Sequence, residues 1–241
     1  MRTFLRLEFL YQQALESLQS DSEHSSRNTV AAILDIQNAF TRSDIKAETL
    51  KELERLGTVL EHLGKNPNVD AQVLNTLLAD LDMAIDRVRD AKGPIGSQLR
   101  TNELLSGVRQ RNSIAGGTCN FDMPSYHFWL SQPDETKKSN LKEWLNHFEP
   151  VLTSAQLILR LIRDSSPTSP EIAKEGFFQR TLDTNIPCHL IRVSVARNCP
   201  YYTEISGGKH RFSVRFLKLN FYDKDIPCNE DIDFSLTCCT L

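Results

Sequence analysis

VRQRNSIAGGTCNFDMPSYHFWL, residues 108–130, sits between two long helical regions, and its reading decides the fold. Val108–Ile114 and Thr118–Met123 mix apolar and polar residues on either side of Ala115-Gly116-Gly117, a tripeptide able to take the positive φ angles of a tight hairpin. The spacing therefore predicts a strand pair, closed by Pro124. Beyond it, Tyr126, Phe128, Trp129 and Leu130 crowd a turn or two of helix and leave His127 as the one titratable group in an aromatic run. An isolated hairpin is marginal in water, so these strands are expected to join others, which lie after residue 175.

Outward from that stretch, two hydrophobic periods divide the chain. On the N-terminal side Phe4, Leu7, Tyr11, Leu15 and Leu18 recur at helical spacing, and a second helix carries Val30, Ile33, Leu34 and Gln37. Asp44 is placed to cap a helix over Ile45–Leu63 and Asp70 to cap the next, which predicts an antiparallel helical hairpin. Thr101 is expected to cap a short helix, Asn102–Gly107. Asp134 starts a further helix that Pro150 ends or kinks, and its apolar face continues to Ile162. From Gly176 the period falls to two: Ile191/Val193/Val195, Phe212/Val214/Phe216 and Ile232/Phe234/Leu236 alternate with polar neighbours. After Phe216 the apolar phase flips to Leu217, Leu219 and Phe221, and a β-bulge is the simplest repair. The predicted class is α+β, with an N-terminal α-helical domain (1–107 and 124–166) and an antiparallel β-sheet domain (108–123 and 176–241) that is discontinuous in sequence.

Composition narrows the function. The chain has 241 residues, 40% of them hydrophobic, and a net charge of −3, so any polyanion or acidic-peptide binding must come from a local basic patch. Arg2, Arg6 and Glu8 interrupt the first apolar stretch, which predicts an amphipathic helix and not an export signal. No apolar run reaches the ~18 residues of a membrane span. A cytoplasmic protein is predicted, with its six cysteines reduced. The closing Cys238-Cys239-Thr240-Leu241 lacks the aliphatic middle of a prenylation box.

The candidate chemistry lies in 205–218. Ser206-Gly207-Gly208-Lys209 is not a phosphate loop, because Thr203 stands where the first glycine belongs and His210 where a hydroxyl should hold magnesium. Lys209–Phe216, KHRFSVRF, shares a leading base and a final Val-x-Phe with an RNA-binding strand but lacks its stacking aromatics. Arg211 and Arg215 lie on one side of that strand, ~13 Å apart, a geometry that suits spaced carboxylates at least as well as phosphates. The plain alternative is that Lys209, Arg211, Arg215 and Lys218 solubilise the sheet. Against it, no acid falls between Lys209 and Asn220, whereas five cluster just afterwards. A nucleic-acid-binding module using 209–218 is the competing function. Cys119, His127 and Asp122 have no spacing specific to nucleophilic catalysis, and Cys188-His189 lacks further metal ligands, so neither an enzyme nor a cofactor or metal is expected.

Taken together, MRTFLRLEFL at the start, LKELERL at 50–56, VRQR at 108–111, GGTCNFDMPSYHFWL at 116–130, ISGGKHRFSVRF at 205–216 and DFSLTCC at 233–239 resemble the ZapD family of bacterial cell-division proteins over nearly the whole length. The family carries a short segment before this methionine. The resemblance implies a dimeric cytoplasmic protein that acts at midcell without nucleic acid or membrane insertion. The same resemblance implies that it binds the C-terminal tail of the tubulin-like protein FtsZ and cross-links FtsZ filaments into bundles, stabilising the Z ring; a groove between the helical and β domains is the expected docking place. Carried over by position, the basic groups that receive the tail are Arg6, His127, Lys209, Arg211 and Arg215. Glu103 departs from the family where relatives can be basic.

Overall fold

The computed structural model describes every residue except Thr184 and Lys209. Its described residues divide into two compact units, Met1–Leu159 and Arg160–Leu241. The first is helical. Helices α1 (Arg2–Leu18) and α2 (Glu23–Arg42) pair across a short turn, and Ser22 caps α2 by accepting the Ser25 amide at 3.0 Å. The apolar stripe of α1 is rotated from the expected one: Phe4, Leu7, Leu10 and Ala14 are buried, while Leu15 is 40% exposed. Helices α3 (Ile45–Leu63) and α4 (Ala71–Asp90) form the predicted hairpin, with Asp44 and Asp70 accepting first-turn amides. Leu53, Leu56 and Leu60 of α3 are buried, as are Leu74, Leu81, Ile85 and Val88 of α4.

The predicted strand pair at 108–123 does not exist. Asn102, one residue later than expected, caps α5 (Glu103–Arg111) through the Leu105 amide at 3.0 Å, and the helix runs through Val108–Arg111 because Leu105 and Val108 fall on its buried side. Residues 112–122 then close successive turns on themselves, Ile114 N–H to Arg111, Gly117 to Ile114 and Cys119 to Gly116, each at 2.9–3.0 Å. These bonds are local turns and not a ladder, and with Ile114 59% and Phe121 80% exposed no apolar face remains to hold a strand in a sheet. Gly116 does take a positive φ, +71°, but within this run of turns. Every described strand lies at or after Ser169, so the sheets are not assembled from distant parts of the chain.

Helices α6 (Pro124–Leu130), α7 (Asp134–Asn146) and α8 (Glu149–Asp164) follow, and Pro150 lies in the first turn of α8, where its missing N–H costs nothing. Tyr126, Trp129, Trp144 and Phe148 fill the core with residues of α1 and α2. No helix among the described residues is long and apolar enough to cross a membrane.

The second unit is built from two antiparallel sheets. One has the order β1 (Ser169–Ala173), β7 (Ile232–Cys239), β3 (Leu190–Ser194); the other has β2 (Phe177–Thr181), β5 (Arg211–Lys218), β4 (Tyr202–Gly207), with β6 (Ile226–Pro227) beside the end of β5. The three predicted strands are β3, β5 and β7. The strand region opens at 169 and not 176, because Glu175 (φ 48°) and Gly176 (φ 71°) form a turn between β1 and β2. A side chain at Gly176 would stand 2.6 Å from the Cys228 backbone, so the close approach as well as the φ requires glycine. The expected bulge is absent: β5 pairs in unbroken register with β2 and β4, then ends at Lys218, and Leu219 and Phe221 are 54% and 83% exposed. Phe178, Phe212 and Phe216 from one sheet meet Phe234 from the other, with Phe178 edge-on to Phe234 at 5.1 Å.

Candidate peptide-binding surfaces

Because side chains alternate across a strand, burying Phe212, Val214 and Phe216 turns Arg211, Ser213 and Arg215 to the outer face of β5. Arg211 and Arg215 are exposed and make no ion pair among the described residues. The register adds what the strand alone conceals. Phe177 on β2 and Glu204 on β4 lie directly opposite Arg215 on the same face, and the Arg215 guanidinium stands 6.0 Å from the centre of the Phe177 ring. Leu217 and Tyr202 form the next row. The aromatics missing from β5 itself therefore flank it from its neighbours, Phe177 43% and Tyr202 38% exposed. An acid that the local sequence excludes, Glu204, also returns to the face from β4. Tyr202 donates its hydroxyl to Asp225 at 2.5 Å, and this bond drives the phenol up to about 12 and holds the Asp225 carboxyl below its ordinary range. Lys209 lies outside the described residues.

In the helical unit, Arg6 lines a hollow of about 370 Å³ with Phe9, Asp35, Asn38 and Arg42. Phe9 is 66% exposed and lies off the buried stripe of α1; that misplaced aromatic is the one sequence signal the hollow offered. His127 lies elsewhere. It is exposed on α6, beside Phe128 at 67% exposure, while its other neighbour Tyr126 turns inward under the Arg27 guanidinium at 5.1 Å. Burial pushes the Tyr126 phenol up to about 12, opposed by Arg27. Arg6 lines its hollow with the Asp35–Arg42 stretch of α2, whereas Tyr126, the residue before His127, packs under Arg27 earlier on the same helix.

Helix α6 is held from below. Lys137, 5% exposed, donates to the Leu130 carbonyl at 3.1 Å and pairs with Asp134 at 2.8 Å, and Trp129 donates its indole N–H to Asn140 at 3.0 Å. Replacing Lys137 with alanine leaves a buried carbonyl unpaired, and a loss of about 1–3 kcal/mol in unfolding free energy is expected in denaturant melts. Arg109 bonds Gln37 and Ser106, while Arg111 and Glu103 line a separate hollow of about 460 Å³ with Asp122. Cys119 donates its thiol to Asp122 at 3.5 Å, and His127 shares no hydrogen bond with either among the described residues. Cys188 is half-buried beside Cys238 and Cys239; burial first, then those thiols, raise its own to about 11. No group of three or more histidines, cysteines and acids able to hold a metal ion occurs among the described residues.

The model of a family described as ZapD, cell division protein, matches residues 5–215, a span that takes in Arg6, His127, Arg211 and Arg215. The chain belongs to the ZapD family. It is 44% identical over 241 residues to the cell division protein ZapD of Methylococcus capsulatus, covering all of this chain and 94% of that protein. The ZapD of Nitrosomonas europaea is 34% identical over 241 residues (100% and 92% covered) and that of Coxiella burnetii 34% over 243 (100% and 94%). These ZapD relatives bear the name of cell division proteins and not of enzymes.

Proposed function

We propose that this protein binds the C-terminal tail of FtsZ and, as a cytoplasmic homodimer at midcell, cross-links FtsZ filaments and stabilises the Z ring. The observation that carries the reading is the outer face of β2–β5–β4, where two exposed arginines stand ~13 Å apart with Phe177 and Leu217 beside them. Guanidinium groups suit carboxylates, and the flanking apolar side chains give a peptide something to pack on. Lys209 is the third basic contact of this unit in the proposal. Arg6 and His127 supply the helical unit's contacts, each next to an exposed phenylalanine, Phe9 and Phe128. A two-fold dimer presents each surface twice, so weak contacts to two filaments add through avidity. Glu204 and the net charge of −3 favour a short acidic peptide over a polyanion such as nucleic acid.

Co-sedimentation with purified FtsZ and GTP tests the reading. Filaments are expected to pellet as bundles with the protein at low salt, and the bundled fraction is expected to fall steeply as ionic strength rises past the range where exposed charges are screened. Bundling by FtsZ that lacks its tail would overturn the tail as the contact. An excess of oligonucleotide is expected not to compete.

A further inference from the structure

Strand β5 has a neighbour on each side, and the two sides differ in charge. On the β2 side the outer face carries Thr181, Gln179 and Phe177 opposite Arg211, Ser213 and Arg215 in turn, with no acid among them. On the β4 side Ser206 faces Ser213 and Glu204 faces Arg215, while Tyr202 in the next row is bonded to the Asp225 carboxylate. Directly opposite residues of an antiparallel pair have Cα atoms ~4.5–5.5 Å apart, so the Glu204 carboxylate is well within reach of any anion that approaches Arg215 over β4. The Arg215 guanidinium stands 6.0 Å from the Phe177 ring centre, on the β2 side.

We propose that the bound peptide lies along the β2–β5 seam, with carboxylates on Arg211 and Arg215 and an apolar side chain on Phe177, and that Glu204 fences off the β4 side. The ligand is an extended segment with two acidic residues about four positions apart, matching the ~13 Å between the arginines, and an apolar residue near the second acid. Glu204, opposite Arg215 in the register, repels peptide carboxylates that approach over β4. Phe177 has the reverse role, since its ring offers an apolar seat and steadies the guanidinium through its π face. The polar middle row of Gln179, Ser213 and Ser206 leaves the path between the two cationic seats unobstructed.

This inference rests on the tail-binding reading above, and the experiment separates the two. A fluorescent synthetic FtsZ tail peptide is titrated by anisotropy with the full-length protein, wild type and variants, at low and high salt. Glu204→Gln is expected to bind about two- to five-fold more tightly at low salt, the gain closing at high salt, as for a screened surface charge. Phe177→Ala is expected to bind roughly three- to ten-fold more weakly, and its loss should shrink when the peptide's own apolar residues are replaced by serine, since coupled partners are not additive. Should Phe177→Ala melt below the assay temperature, Phe177→Val, which keeps a strand-forming residue without the ring, takes its place. If the wild type binds but either variant leaves affinity unchanged, the lane is wrong and the tail-binding reading stands. If the wild type does not bind the peptide, both fall together.

Discussion

Replacing Arg211 and Arg215 together by glutamate is expected to weaken FtsZ tail binding by roughly 2–4 kcal/mol, about 30-fold or more in affinity, and to abolish bundling. Each exposed ion pair is worth at most about 1 kcal/mol, but reversal substitutes repulsion for attraction at both seats, and Glu204 then adds a third negative charge to the face. Both side chains point away from the buried Phe212–Val214–Phe216 row, so the fold should tolerate the change, and unaltered circular dichroism would establish that it does. The effect should diminish with salt, as the wild-type affinity does. A folded double variant that still binds the peptide and bundles filaments as the wild type does would remove β5 from the mechanism.

The second large effect is structural. Phe234→Ala is expected to destabilise the β unit by about 3–5 kcal/mol. Phe234 is 4% exposed on β7, and its ring meets Phe178 at 5.1 Å and Phe216 at 5.6 Å, both from the opposite sheet. Truncation opens a cavity where the two sheets share an aromatic cluster, and neither strand can collapse into it without breaking its ladder. Phe216 belongs to β5, so loosening this cluster also loosens the strand that displays Arg211 and Arg215. Denaturant melts followed by a sheet-sensitive signal should show an earlier transition, and tail-peptide affinity should fall although no contact residue has changed. A melt identical to the wild type's would mean that the cluster contributes no stability.

How far the sequence could be read depended on where each element's backbone bonds and burial were decided. Asp44 and Asp70 were legible as caps because a cap is settled within three residues. Alternation in β3, β5 and β7 was legible because one face of each meets a core. Residues 108–123 were misread because Gly116-Gly117 between mixed segments fits a hairpin and a string of turns alike. The Asn102 cap and the burial of Leu105 and Val108 decided for a helix that overruns the expected strand. The exposed Leu219 and Phe221 looked like a phase flip only because strand ends are set by partners: β6 and β4 stop pairing at Lys218 and Tyr202. Strands β1, β2 and β4 went unread for the same reason: they are short, β2 and β4 are mostly exposed, and longer neighbours hold them in place.

The sequence by itself determined the α+β class, the helical first half, the three core strands, the exposure of Arg211 and Arg215 on one side of β5, and the likeness to the ZapD family. These follow from local periodicity and from motifs that need no partner. Only the tertiary structure decided what surrounds those arginines. Phe177 lies 38 residues before Arg215 and Glu204 eleven before it, and nothing local to either reports the other. The antiparallel register alone brings an aromatic ring to one flank of Arg215 and a carboxylate to the other.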